Sequence, residues 1–156
     1  MAQVLVRVAR EFSVNAMPDA VFQILADVPR SVSHFPKVRQ LVDLGRNAYR
    51  WEMEPMGTAG ISHQVVYACT YVPSAAQQSV AWTPVKGVGN GVIEGHWKLR
   101  EAGKGTAIHF HTEGALEVPV PRLLKSIAEP FVQAEFTRSI EIYLDNLSRT
   151  FGGRAT

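Results

Sequence analysis

The chain is poor in cysteine, in long apolar runs and in clustered charge. Cys69 is the only cysteine among 156 residues, so an internal disulfide is excluded and a thiolate metal cluster is disfavoured. No stretch approaches the ~20 consecutive apolar residues that a membrane-spanning helix needs. Residues 1–12 alternate polar and apolar side chains, which predicts a strand and not a signal peptide. We therefore expect a cytoplasmic protein.

The charge balance narrows the class of partner. Sixteen basic and 14 acidic residues give a net charge of +2, and no basic block stands out. A nucleic-acid surface needs clustered Lys and Arg, so we expect no nucleic-acid partner. The small positive charge permits a transient contact with an anionic membrane without arguing for it. Nothing in the sequence addresses the oligomeric state.

The composition, with 46% hydrophobic and 19% charged residues, is that of an ordinary globular protein. The chain is long enough to bury one real core. We expect a single domain over residues 1–151 and a disordered tail over 152–156.

The first third of the chain predicts a strand and two short helices. Val4, Val6 and Val8 share one parity, as in a half-buried strand. Pro18 suits the first turn of a helix, which Pro29 should end. A second helical turn is then expected over residues 31–35.

Strand hairpins dominate the middle of the chain. A turn at Arg46-Asn47 would place Val42 opposite Trp51 and Leu44 opposite Tyr49. Residues 60–72 predict a longer strand that carries His63, Tyr67, Cys69 and Tyr71 on one face, whereas the inner face of the next strand, 78–86, is ambiguous.

A last hairpin with its turn at Gly103-Lys104 pairs Trp97 with Phe110 on an apolar face. The same register pairs His96 with His111 on a polar face.

A long amphipathic helix is predicted from about Arg122 to Leu147, with a kink at Pro130 because proline removes a backbone donor. Its expected apolar face comprises Leu124, Ala128, Phe131, Val132, Phe136, Tyr143 and Leu147.

Several segments in this order resemble a known superfamily. They are Asn15-Ala-Met-Pro18-Asp19-Ala-Val21-Phe22, Phe35-Pro36-Lys-Val38, Gly95-His-Trp97-Lys-Leu99, Gly105-Thr106 and the terminal helix ending Tyr143-Leu144-Asp-Asn-Leu147. The chain resembles the START-related (SRPBCC) superfamily of polyketide cyclases, lipid-transfer and coenzyme-Q-binding proteins. The resemblance implies an α+β helix-grip fold, with a curved antiparallel sheet of about seven strands around the C-terminal helix. It also implies an apolar cavity beneath that helix, but no single activity.

We expect the cavity to bind a hydrophobic small molecule such as a lipid, an isoprenoid quinone or a polyketide, with no cofactor and no metal. The expected ligand-binding residues are Trp51, His63, Tyr67, Tyr71, Trp97, Phe110, Phe131, Glu135 and Ser139.

Two of these residues carry an alternative hypothesis. His63 and Glu135 would be the acid and base of a cyclase or dehydratase, if the chain is an enzyme. The ring nitrogens of His63 could instead hydrogen-bond to backbone groups, or the side chain could lie near a strand end and be open to water. Glu135, on the predicted apolar face, could instead pair with a neighbouring Tyr or Arg or be displaced by the kink at Pro130.

His96, His109 and His111 invite a metal hypothesis. Their predicted place on the polar face, outside any enclosed cavity, makes a functional metal site the less favoured interpretation. A third hypothesis for the whole chain is a protein-interaction module with a vestigial cavity.

Overall fold

The computed structural model describes residues 1–58 and 61–155, and its framework is one antiparallel sheet. The elements are β1 (Ala2–Val14), α1 (Pro18–Ala26), α2 (Val28–Val32), β2 (Val38–Gly45), β3 (Ala48–Met53), β4 (Met56–Thr58), β5 (Ile61–His63), β6 (Val66–Ser74), β7 (Ser79–Pro84), β8 (Gly91–Ala102), β9 (Gly105–Val118), a 3-10 turn (Arg122–Leu124) and α3 (Lys125–Thr150). Seven strands form the sheet in the order β1-β9-β8-β7-β6-β3-β2, and β4 pairs with β5 separately. The predicted helix-grip α+β fold is confirmed.

The predicted division of the sheet into a buried and a wet face holds across its centre. Trp97 pairs with Phe110 and His96 with His111, as the turn at Gly103-Lys104 predicted. Trp97 and Phe110 are buried, together with Val4, whereas the histidines face outward. This alternation positions a continuous apolar surface beneath α3.

The second short helix starts earlier than expected. Pro29 does not end α1 but occupies the first turn of α2, a position where its missing N–H is not needed. Asp27 caps α2 by accepting a hydrogen bond from the Arg30 amide at 3.3 Å. The second helix therefore runs Val28–Val32 and not over residues 31–35.

The predicted register of the β2–β3 hairpin is wrong by one position. Arg46 and Asn47 do form the turn, with φ of 54° and 61°. A β-bulge between Asp43 and Gly45 shifts the pairing, so that Leu41 and not Val42 lies opposite Trp51. Leu44 is consequently exposed instead of facing the core.

The strand predicted over residues 60–72 is divided in two. Its first residue, Gly60, lies outside the described residues, and its next three belong to β5, which pairs with β4. The side chain of Asn90 accepts a hydrogen bond from the Val66 amide at 2.9 Å and donates one to the Gln64 carbonyl at 2.7 Å. Asn90 thus provides hydrogen-bond partners for two backbone groups at the point where the chain passes from the two-stranded sheet to the seven-stranded sheet.

α3 is 26 residues long and contains Pro130, at which a kink stays a prediction. Tyr143 and Leu147 are buried as expected, but Leu124 and Phe131 are exposed, which corrects the predicted apolar face. Phe131 and buried Ile140 are nine positions apart, which is about 2.5 turns, so they point to opposite sides of the helix. In the part of the chain that the structure describes, no helix is both long and apolar enough to cross a membrane.

The chain after α3 returns to β1. The amide of Ala155 donates a hydrogen bond to the Ser13 carbonyl at 2.8 Å, and Arg154 forms an isolated antiparallel β-bridge with Val14. The Arg154 guanidinium also lies 5.0 Å from the Phe12 ring centre. The single domain over 1–151 and the disordered tail over 152–156 stay predictions, and Thr156 lies outside the described residues.

Candidate ligand cavity

A hollow lies between the inner face of the sheet and the C-terminal part of α3. α1, α2 and the following loop contribute Leu25, Val28, Ser31, Val32 and Phe35, and α3 contributes Phe136, Ile140 and Tyr143. The strands contribute Trp51, Tyr67, Cys69, Tyr71, Trp82, Ile93, Trp97, Phe110 and Thr112. The space open to the centre of a water-sized sphere is about 50 Å³, which is room for a few water molecules.

Aromatic rings form most of the wall. Trp51 stacks on Tyr67 with ring centres 5.4 Å apart, and Phe35 meets Trp51 edge-on at 5.2 Å. Trp97 lies 4.5 Å from Phe110 on the opposite side of the hollow. These offset and edge-on contacts are the favoured geometries of aromatic pairs, so the wall is a well-packed apolar surface.

The polar groups of the hollow include several hydroxyls, which differ in whether they have a hydrogen-bond partner. The Trp51 indole N–H donates to the Tyr71 hydroxyl at 2.9 Å. The hydroxyls of Ser31 and Tyr143 share a hydrogen bond of 2.5 Å. Within residues 1–58 and 61–155, no side-chain or backbone group hydrogen-bonds to the Tyr67 hydroxyl. Tyr67 therefore offers a polar contact that a ligand oxygen would satisfy.

Every side chain that lines the hollow is uncharged at neutral pH. Burial raises the pKa of Tyr67, Tyr71 and Tyr143, so the three phenols keep their protons and act as donors. Burial also raises the pKa of the Cys69 thiol to about 12, and this thiol donates to the Ile93 carbonyl at 3.2 Å. Cys69 is therefore a thiol and not a reactive thiolate.

The structure brings together five of the nine predicted ligand-binding residues. Trp51, Tyr67, Tyr71, Trp97 and Phe110 line the hollow. The other four, His63, Phe131, Glu135 and Ser139, are not among the side chains that line it.

His63 and Glu135 lie elsewhere for different reasons. His63 belongs to β5, outside the seven-stranded sheet, and its Nε2 atom is buried without a partner among the described residues. Burial lowers the pKa of His63, which keeps the imidazole neutral. Glu135 forms an ion pair with Arg138 at 3.1 Å, which is the arginine partnership that the sequence left open.

Sequence reasoning missed Ser31, Phe35, Trp82, Phe136 and Tyr143 as lining residues. Phe136 and Tyr143 were expected on the apolar face of the long helix, and that periodicity was a usable signal. The sequence pattern did not show which face of β7 is buried, so Trp82 could not be assigned to the cavity wall. No pattern in the sequence distinguished Ser31, because its role depends on a contact with a residue 112 positions away.

The three outer-face histidines form a stacked row on β8 and β9. The His96 ring lies between His109, at 5.3 Å, and His111, at 5.5 Å. His109 pairs with Glu11 at 3.0 Å and His111 with Glu113 at 2.8 Å. Across the described residues, no group of three or more His, Cys, Asp or Glu side chains is arranged to hold a metal ion. Stacked rings direct their nitrogens past one another and not toward a common point.

We expect His96 to make the protein less stable as the pH falls below about 6.5. Burial, followed by the charges of Lys98, His109 and His111, lowers the pKa of His96 in the fold. The unfolded chain therefore binds a proton that the folded chain resists, and acid favours unfolding. Urea midpoints at pH 7.5 and 5.5 should differ less in His96→Gln than in the parent protein. An equal reduction in the control His34→Gln, a histidine outside the row, would contradict this assignment.

Comparison with known proteins adds a family and a set of similar folds. A family model described as polyketide cyclase / dehydrase and lipid transport matches residues 6–152. No curated protein matches the chain by sequence. The solved structures that it resembles include a START superfamily protein from Mycobacterium smegmatis, at 16% identity and TM-score 0.68 over 94% of this chain and 97% of that one. They also include the Zhui aromatase/cyclase from Streptomyces sp. R1128, at 15% identity and TM-score 0.67 over 95% and 94%. At such identities the likeness shows the fold alone.

Proposed function

Because the chain belongs to the polyketide cyclase / dehydrase and lipid transport family, we propose that it binds or carries a neutral, oxygen-bearing apolar molecule in the hollow beneath α3. A lipid ketone or alcohol, an isoprenoid quinone and a polyketide all belong to this class. Apolar burial would supply the affinity, at ~25 cal/mol per Å² before the costs of binding. The phenol hydroxyls would orient the oxygen.

The observation that carries the proposal is the uncharged lining of the hollow. Moving a carboxylate or a phosphate into such a space costs several kcal/mol when no cation is present to pair with it. A ketone or hydroxyl oxygen needs only a donor, which Tyr67 supplies. The charge of the ligand is therefore the property that the cavity should discriminate most strongly.

The ligand would have to widen the hollow. The present free space of about 50 Å³ is well below the roughly 300–1,000 Å³ of typical ligand pockets. Residues of α3 before Phe136 do not line the hollow. Displacing this half of the helix would break the packing of Val132 on the core and the hydrogen bonds of Gln133 to Arg7, but it would leave the wall packed. A chain molecule could enter between this half of the helix and the sheet.

The enzyme hypothesis has less support in the geometry. A cyclase or dehydratase that used His63 or Glu135 would need one of them in the cavity wall, and neither is there. The phenols that are there hold their protons too tightly to serve as bases near neutral pH. An interaction module with a vestigial cavity would make no use of the Tyr67 hydroxyl, which has no hydrogen-bond partner among the described residues. A cytoplasmic location stays a prediction.

A matched ligand pair tests the proposal. The chain has three tryptophans, and all of them line the hollow, so their emission reports on its occupancy. We expect 2-undecanone to shift this emission, and decanoate, with the same alkyl chain, to bind at least about 100-fold more weakly because of its charge. Equal affinity for the two would contradict the proposal. So would an absence of binding by the ketone together with an empty protein in native mass spectrometry against lipids, quinones and polyketides.

The variant Tyr67→Phe separates the polar contact from the apolar one. We expect about fivefold weaker binding of 2-undecanone, since a net hydrogen bond contributes ~1 kcal/mol. The urea midpoint should not fall, because the hydroxyl has no partner among the described residues. The comparison variant Tyr143→Phe should lower the midpoint instead, because it leaves the buried Ser31 hydroxyl without its partner.

A further inference from the structure

The first half of α3 presents an apolar stripe to solvent. We define the docking stripe as Leu123, in the 3-10 turn before α3, together with Ile127 and Phe131, which are four positions apart on α3 and so share one face. Their exposed fractions are 93%, 62% and 72%, and the adjacent Leu124 is 44% exposed. Contiguous exposed apolar residues of this size mark interaction sites in globular proteins.

The residues of the docking stripe belong neither to the core nor to the lining of the hollow. The α3 residues that line the hollow are Phe136, Ile140 and Tyr143, all later in the helix. Among the described residues, the first α3 side chain that hydrogen-bonds to the sheet is Gln133, which pairs with both the amide and the carbonyl of Arg7 at 3.0 Å. The docking stripe therefore lies on a segment that is free to meet another surface.

The charges at the N-terminal end of the docking stripe are positive. Arg122 and Lys125 are exposed, and no acidic residue lies between Glu117 and Glu129. The first turn of α3 has neither an acidic side chain nor a side-chain cap, so the positive end of the helix dipole adds to these cations. Exposed apolar residues interleaved with Lys and Arg are typical of helices that lie in a lipid interface.

We propose that the docking stripe rests on an anionic lipid membrane, with Leu123, Ile127 and Phe131 in the acyl boundary and the two cations at lipid phosphates. A second copy of the chain fits less well, because a twofold contact through this stripe would bring the cations of both copies together. The role of this contact in loading or releasing a ligand rests on the proposed function, but the contact itself does not.

Vesicle sedimentation tests the surface directly. We expect the protein to bind vesicles of phosphatidylcholine with 30% phosphatidylglycerol at least tenfold more strongly than pure phosphatidylcholine. The variant Leu123→Ser/Ile127→Ser/Phe131→Ser should lose at least tenfold of this binding. Arg122→Gln/Lys125→Gln should lose about fivefold per charge and much of the salt dependence. The control Leu5→Ser/Val72→Ser, at exposed apolar positions on the strands, should bind as the parent does.

Other results of these experiments would contradict the membrane contact. Failure to bind anionic vesicles overturns the inference, as does an equal loss in the control variant. Self-association in sedimentation velocity that the triple serine variant abolishes, without vesicle binding, assigns the stripe to a second copy. The emission response to 2-undecanone, measured without vesicles, separates the two claims. If that response is absent while vesicles bind, the proposed function fails and the docking surface stands.

Discussion

Replacing Gly95 with alanine is expected to destabilise the protein by about 3 kcal/mol, the upper end of the usual cost of overpacking and a large part of a typical domain's stability. A Cβ at this position would overlap the carbonyl oxygen of His111 on the neighbouring strand and lie 2.6 Å from Cζ2 of Trp82. Real Cβ contacts are not shorter than 3.0 Å. Relief would require β8 and β9 to separate or Trp82 to leave the cavity wall.

Gly103→Ala is the matched control for this prediction. Nothing lies within 4 Å of a Cβ at Gly103, but its φ of +58° is strained for alanine. We expect a loss of only about 1 kcal/mol there, from backbone strain alone. Urea denaturation measures both variants. A loss at Gly95 no larger than that at Gly103 would show that the close approach of Trp82 and β9 does not constrain the residue.

The sequence predicted those parts of the fold that depend on local periodicity and turn chemistry. Alternation placed Trp97 and Phe110 on one face, and the turn at Gly103-Lys104 set their register, because a slip by one residue would expose every apolar side chain of the hairpin. The same reasoning failed at Leu44, because a bulge inserts a residue without leaving a mark in the hydrophobic pattern.

The site was less predictable, since its polar contacts join distant parts of the chain. The Ser31–Tyr143 hydrogen bond connects α2 to α3. The side chain of Asn90 accepts a hydrogen bond from the amide of Val66, the first residue of the strand that carries Tyr67. Helical periodicity also assumes one buried side along the whole helix. α3 exposes apolar Phe131 in its first half and buries Ile140 on the opposite side in its second, so one average face could not describe both.

Trp97→Ala is expected to cost about 3–5 kcal/mol and to enlarge the hollow. Trp97 is 3% exposed and contacts the rings of Phe110, at 4.5 Å, and Tyr143, at 5.9 Å, so the deleted indole leaves a void with rigid aromatic walls.

Free indole should therefore restore stability to this variant, by about 2.7 kcal/mol at a concentration 100 times its dissociation constant. The control is Leu147→Ala, which removes a fully buried side chain that does not line the hollow. It should lose about 2–5 kcal/mol but gain nothing from indole, which is larger than the side chain removed. Thermal unfolding with and without indole measures both variants. Stabilisation of both, or of neither, would mean that the space beside Trp97 is not a preformed apolar site, and the argument that the hollow accepts an apolar ligand would lose its physical basis.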